Sequence, residues 1–128
     1  MYNKRLFLLV TSLVLASLIL ASCSGASGAF PTGKFIKSGE QDYGLVFNAD
    51  KTFSVFQGDN TFVRGTYKVE GNIFTETSND GGCKTDVSFT YTFDGKNLTF
   101  KYVGNPADDY GCTGRYVDFN NVTYTLSK

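Results

Sequence analysis

The sequence predicts an all-β domain built as an eight-stranded antiparallel up-and-down barrel. From Gly33 onward, apolar and polar residues alternate in short runs, and residues typical of hairpin turns separate these runs. No stretch shows a convincing helical period. Eight strands without a crossover can bury one face by curling until the first and last strands pair. Two packed sheets are the alternative architecture.

The alternation divides the domain into eight strands. In chain order, they cover residues 33–38, 43–48, 52–57, 61–69, 72–77, 86–93, 97–103 and 115–126. Residues that accept a positive φ or form Asx turns lie in the connections 48–51, 58–60, 70–72 and 94–96, which indicates hairpins. We expect a bulge in the last strand, since Asn120 and Asn121 interrupt its alternation.

The faces of the strands follow from the same alternation. Phe89, Tyr91 and Phe93 share one side of the sixth strand and its Ser and Thr residues share the other, so the rings point inward. A barrel of eight strands is just wide enough to be filled by side chains or to hold one small ligand. The candidate ligand-binding residues of the interior are Phe47, Phe53, Tyr67, Phe74, Glu76, Phe89, Tyr91 and Phe100.

Glu76 is the one carboxylate in this set, placed inward by its two-residue spacing from Phe74. A buried charge needs a partner, so Glu76 is a candidate for orienting a polar or cationic ligand group. The alternative, favoured by the loop that follows, is that the strand frays there and Glu76 points to water.

The N-terminal segment has the layout of an export signal. Lys4 and Arg5 precede the apolar segment 6–20, and small residues lead to Cys23. This 15-residue segment is shorter than the roughly 20 residues that a spanning helix needs. An uncleaved membrane anchor and a plain secretory signal are the alternatives.

The residues Leu20-Ala21-Ser22-Cys23 resemble the lipobox of bacterial lipoproteins. The resemblance implies a signal peptide over 1–22, a lipidated flexible tether over 23–32 with the lipid on Cys23, and a barrel domain over 33–128. It also implies a cell-envelope location in which the lipid is the contact with the membrane. Because Ser24 is not the aspartate that favours inner-membrane retention, we expect the outer membrane, facing the periplasm, in a Gram-negative source.

The charge balance of the mature chain argues against a nucleic-acid partner. Its 106 residues carry 10 Lys and Arg against 12 Asp and Glu, a net charge near −2. Neither a nucleic-acid footprint nor a polybasic membrane patch is present in the sequence.

Two further cysteines remain once Cys23 is assigned to lipid. In an oxidising compartment, Cys83 and Cys112 are expected to form a disulfide that stabilises the fold by roughly 3 to 4 kcal/mol. A redox-active or metal-binding pair is the alternative, but the chain has no Cys-x-x-Cys motif and no histidine to complete a zinc site. No metal or other cofactor is predicted.

Several short motifs follow one another along the predicted barrel domain. They are Gly33-Lys34-Phe35, Gly65-Thr66-Tyr67, Glu70-Gly71, Asp94-Gly95 and Cys112-Thr113-Gly114-Arg115. Over residues 33–126 the chain resembles a calycin-type, lipocalin-like bacterial lipoprotein, with Phe35 where lipocalins carry the tryptophan of a Gly-x-Trp motif. The resemblance implies that Arg115 packs over Phe35 and closes one end of the barrel. Anion binding by Arg115 is the alternative.

Catalysis has little support in this sequence. It lacks histidine, a Gly-x-Ser-x-Gly motif and a phosphate loop, and its cysteines are assigned to lipid and disulfide, so no enzyme activity is expected. The resemblance favours a carrier that holds a small apolar ligand inside the barrel. The alternative is a filled barrel with a structural or protein-binding role in the envelope, such as a hydrolase inhibitor. Phe56 and Phe62, expected to point outward, are then the first candidates for contacting a partner.

Overall fold

The structure, a computed structural model, describes residues 28–80, 83–109 and 111–128. Eight antiparallel strands form one closed barrel in chain order, which confirms the predicted fold and excludes two packed sheets. The strands are β1 (Gly33–Lys37), β2 (Tyr43–Phe47), β3 (Thr52–Gln57), β4 (Asn60–Glu70), β5 (Ile73–Ser78), β6 (Val87–Phe93), β7 (Asn97–Val103) and β8 (Thr123–Leu126). The predicted signal peptide and Cys23 lie outside the described residues.

The predicted hairpin turns after β2, β4 and β6 are formed. In the last of these, a carboxylate oxygen of Asp94 accepts hydrogen bonds from the backbone N–H groups of Lys96 and Asn97, at 2.9 and 2.7 Å. Gly95, between Asp94 and Lys96, has a φ of 94°, a conformation that glycine adopts at little cost. Asp50 makes the equivalent bond to the N–H of Thr52 at 3.1 Å. These turns are therefore fixed by residues close in sequence.

One close approach inside the barrel requires glycine. Gly65 of β4 is paired with Phe53 of β3. A Cβ atom at this position would overlap the Phe53 ring and the carbonyl oxygen of Thr77. The absence of a side chain at Gly65 thus leaves the space in which the Phe53 ring lies.

The last predicted strand is correct only in its final third. Residues 123–126 form β8, but Thr113–Phe119 form a helix, α1, preceded by a 3₁₀ helix over Pro106–Asp109. The helix buries Arg115 and Phe119, four residues apart on one face, and leaves Val117 65% exposed, whereas a strand would place all three on one side. Asn121, with a φ of 58°, lies just beyond the helix in the left-handed conformation, so the two asparagines end a helix and do not form a bulge.

The up-and-down topology gives the barrel two different ends. We call the end at which β2, β4, β6 and β8 finish the tether end, because the residues before β1 approach it. We call the end at which β1, β3, β5 and β7 finish the cap end, because the 3₁₀ helix and α1 lie between β7 and β8 there.

Candidate functional site

The interior of the barrel is filled with aromatic rings. Of the eight predicted ligand-binding residues, seven are buried and Tyr91 is partly buried. Phe74 illustrates the packing, because its ring centroid lies 5.0 Å from that of Phe100, 5.4 Å from Tyr67 and 5.6 Å from Phe47. These residues face inward as predicted, but most of them contact one another and not an open space.

Phe30 fills the tether end and was not predicted to do so. Its side chain is 7% exposed, and its ring centroid lies 4.9 Å from that of Tyr91, 5.0 Å from Phe47 and 5.2 Å from Phe74. The folded unit therefore includes Phe30, three residues before the expected boundary at Gly33, and the end of the supposed flexible tether is part of the core. A single phenylalanine among small residues was the only signal for this contact in the sequence.

Phe119 of α1 fills the interior from the cap end. Its ring lies 5.1 Å from Phe89, 5.2 Å from Phe100 and 6.3 Å from Phe74. Because Phe74 also stacks on Phe30, ring contacts run through the barrel from one end to the other. The centre of the barrel is thus occupied by the protein's own side chains.

A cavity of about 340 Å³ lies at the cap end, between β3, β4, β5 and α1. Two of the eight predicted ligand-binding residues, Phe53 and Glu76, line this cap-end cavity. Its apolar lining also includes Val55, Phe62, Val63 and Phe119. Phe62 is 48% exposed, so the cavity opens to solvent beside its ring.

Of the two phenylalanines expected to point outward, only Phe62 is exposed. Phe56 is 6% exposed and lies beneath Lys34, whose ammonium nitrogen is 4.6 Å from the centre of the ring. The predicted outward direction of Phe62 is confirmed, while Phe56 is covered.

Arg115 is bound by polar groups of the 3₁₀ helix, of β5 and of the loop before β6, and it does not stack on Phe35. Its guanidinium donates to the carboxylate of Asp109, with Nε at 3.0 Å, and pairs with Glu76 at 3.4 Å. It also donates to the backbone oxygen of Thr85 at 2.6 Å. Phe35 instead contacts Phe47 and Phe93. The partners of Arg115 at the cap end are thus two carboxylates and the backbone of Thr85, and not the Phe35 ring that the resemblance implied.

Strand β5 does not fray at Glu76, and the Glu76 side chain does not point to water. Glu76 is fully buried, and it accepts a hydrogen bond from Ser78 at 3.1 Å in addition to its contact with Arg115. Burial raises its pKa to about 7, against the lowering effect of the Arg115 charge and of these hydrogen bonds. Near neutral pH the cluster of Glu76, Asp109 and Arg115 therefore includes a carboxyl that is partly protonated.

The predicted disulfide joins Cys83 to Cys112 across 29 residues, with a Cα–Cα distance of 5.6 Å. Cys112 immediately precedes α1, and Asp109, which binds Arg115, ends the 3₁₀ helix. The disulfide and the Arg115 cluster together attach the segment between β7 and β8 to the strands at the cap end.

No protein-family profile matches this chain, and neither a curated protein nor a solved structure is similar enough to match it. Within the described part of the chain, no helix is long and apolar enough to cross a membrane. Among the same residues, no three His, Cys, Asp or Glu side chains are grouped so as to hold a metal ion.

Proposed function

We propose that this protein is a lipid-anchored envelope protein of lipocalin-like type that binds a small, mainly apolar ligand, and that the ligand occupies the cap-end cavity. The observation that carries the proposal is the cavity itself. Its volume of about 340 Å³ lies within the range of small-molecule sites, and its lining combines phenylalanine and valine side chains with a few polar groups.

A ligand can bind more easily in the cavity at the cap end than at the centre of the barrel. The interior rings contact each other closely, and a ligand there would have to displace Phe30 or Phe119 from burial. At the cap end, a ligand contacts Phe53, Phe62 and Phe119 without moving a buried ring.

Binding without catalysis is the function that the described residues support. The chain contains no histidine to act as a general base, and Cys83 and Cys112 are joined to each other. Arg115 and Glu76 are engaged with each other and with Asp109, Thr85 and Ser78. We assign these polar groups to holding the cap end in place.

Native mass spectrometry tests ligand binding directly. The soluble form should begin at Ser24 and be purified without detergent from its own envelope extract. A chain that begins at Thr32 would lack Phe30 and would open the tether end artificially. We expect a stoichiometric adduct that disappears on denaturation. The neutral fluorescent probe N-phenylnaphthylamine should bind the ligand-free protein.

Two matched substitutions in α1 locate the ligand. Gly114 lines the cap-end cavity and has open space where a Cβ would lie, so Gly114→Trp attaches a large ring beside the cavity with no clash at its Cβ. Thr113→Trp places the same ring on the exposed neighbouring residue. Loss of the adduct in the first variant alone supports the proposal. Loss in neither variant places the ligand elsewhere.

The lipid anchor has its own test, the intact mass of the mature protein. The proposal requires loss of residues 1–22 and addition of a diacylglyceryl group, with an N-acyl chain, at Cys23. Substitution Cys23→Ala should release the protein from the membrane fraction. In a two-membrane envelope, we propose that the lipidated form faces the periplasm from the outer membrane.

A filled barrel that binds a protein partner is the second candidate. Among the described residues, the large apolar side chains that are most exposed are Phe62, Val103 and Val117, and all three lie at the cap end. A photo-crosslinker at Val117 in intact envelopes should then capture one partner that is not captured from Thr92 on the barrel wall. With this outcome and no adduct in native mass spectrometry, the second candidate replaces the first.

A further inference from the structure

We propose that the tether end of the barrel faces the anchoring membrane and contacts anionic headgroups, so that the cap-end cavity opens away from that membrane. This inference rests on the proposed lipid anchor at Cys23. It adds the orientation of the domain and, with it, the phase from which a ligand enters.

The first observation is the short distance in sequence between the anchor and the folded unit. Phe30 is held in the core at the tether end, and Cys23 precedes it by seven residues. A fully extended chain spans at most about 3.6 Å per residue, so this segment can reach roughly 25 Å. The point at which the chain enters the barrel is therefore always close to the bilayer.

The second observation is an asymmetry of charge that the topology creates. Among the side chains of the described residues, the tether-end half of the barrel carries five lysines and three carboxylates, while the cap-end half carries five cations and nine carboxylates. The five lysines are Lys34, Lys51, Lys68, Lys96 and Lys128. They are scattered along the sequence, so no basic run reveals them.

The charge asymmetry selects one orientation among those that the tether allows. An anionic leaflet attracts lysines within a Debye length of its surface and repels carboxylates. Turning the tether end toward the membrane brings the positive half close and keeps the negative half away. The tether limits the distance between the barrel and the bilayer, and the charges favour the orientation in which the tether end faces the bilayer.

The orientation has a consequence for the proposed ligand. The cap-end cavity lies at the opposite end of the barrel from Phe30, with Phe62 at its opening. A ligand would then enter from the aqueous compartment or from a partner across it, and not directly from the membrane that anchors the protein.

Tryptophan fluorescence can test the orientation, because the chain contains no tryptophan. Ala49→Trp places one reporter in the exposed turn at the tether end, and Thr113→Trp places one at the cap end. The full lipidated proteins would be reconstituted in phosphatidylglycerol–phosphatidylcholine vesicles with a spin-labelled headgroup as quencher. We expect quenching at position 49 to be several-fold stronger than at position 113.

Two pairs of substitutions test the cause. Lys68→Glu with Lys96→Glu reverses two exposed charges at the tether end, and Lys84→Glu with Lys101→Glu makes the same change in the cap-end half. Only the first pair should reduce the quenching ratio, and only in vesicles that contain phosphatidylglycerol. Phe30→Ala should also reduce the ratio by releasing the tether, whereas Phe62→Ala should not.

The outcomes separate this inference from the proposed function. A lipidated protein with equal quenching at the two positions, or stronger quenching at position 113, would overturn the orientation and leave the anchor intact. An intact mass without acyl chains would overturn the anchor and the orientation together.

Discussion

The two ends of this barrel are closed by different kinds of interaction. At the tether end, Phe30 packs among aromatic rings, and short turns are held by neighbouring residues such as Asp94 and Gly95. At the cap end, a 19-residue connection between β7 and β8 is attached by a disulfide and by Arg115, which binds groups distant in sequence. One end is closed by apolar burial and local turns, whereas the other adds a disulfide and long-range polar contacts to the buried ring of Phe119.

This difference shows where a small barrel can leave room for a ligand. An aromatic ring packed among other rings leaves no cavity, because apolar interiors pack to crystal-like density. A segment attached through fixed polar contacts can bridge a gap without filling it. The cap-end cavity lies beside Phe119 and the Arg115 cluster, where packing changes from rings to charged groups.

The largest effect on stability is expected from removing the charged attachment at the cap end. Arg115→Ala leaves Glu76 and Asp109 buried without their cation. Breaking a buried pair in this way costs about 3 to 5 kcal/mol. Urea denaturation should show this loss in the free energy of unfolding.

The matched control is Arg64→Ala. Arg64 is exposed and lies 4.0 Å from Asp80, so its loss should cost less than about 1 kcal/mol. Similar losses for the two variants would mean that the Arg115 cluster does not hold the cap end.

Removing the ring at the tether end should have the next largest effect. Phe30→Ala deletes a buried aromatic side chain, and we expect a loss of about 3 kcal/mol, at the lower end for such changes because the terminal segment can rearrange. The vacated space should also strengthen binding of N-phenylnaphthylamine. A variant as stable as the wild type would show that Phe30 does not close the tether end.

The sequence predicted each end of the barrel well only where the contacts are made between residues close in sequence. Alternation and turn residues predicted the strands and the hairpin after β6, because side-chain direction and turn type depend on neighbouring residues. The Cys83–Cys112 pairing followed from counting cysteines. Phe30 was missed because its ring contacts are made with β2, β4, β5, β6 and β7, and no local pattern encodes them.

The cap end was predicted less well for a similar reason. Tyr116 and Val117 favour a strand locally, but burial of Arg115 with Glu76 and Asp109 is satisfied by a helix. The spacing of Arg115 and Phe119 fits one face of a helix as well as one face of a strand. The asparagine pair was the usable signal, since asparagine is, after glycine, the residue found in the left-handed conformation that ends a helix.

The third prediction concerns the pH dependence of stability, which we expect Glu76 at the cap end to determine. The folded-state pKa of Glu76 is raised from 4.5 to about 7, so the folded protein binds more protons than the unfolded chain between these values. The contribution of Glu76 to stability is therefore fully present below pH 4.5 and is lost, by about 3 kcal/mol, as the pH rises from 4.5 through 7.

Glu76→Gln should remove this loss, and denaturation at several pH values would measure it. The same substitution at Glu70, the exposed last residue of β4 at the tether end, is the matched control and should leave the pH profile unchanged. A wild-type profile that does not differ from that of Glu76→Gln would contradict the prediction.

The smallest effect on stability is expected at the opening of the cap-end cavity, where function is proposed to lie. Phe62 is 48% exposed, so Phe62→Ala should change the free energy of unfolding by no more than about 0.5 kcal/mol. Because its ring lines the cavity, the same change should weaken N-phenylnaphthylamine binding several-fold.

The matched control is Lys68→Ala, at an exposed position toward the tether end of β4, the strand that also contains Phe62. It should change neither the stability nor the binding of the probe. Loss of binding at nearly constant stability would distinguish Phe62 from Phe30, whose removal lowers stability and opens new space. Unchanged probe binding in Phe62→Ala would instead place the probe away from the cap end.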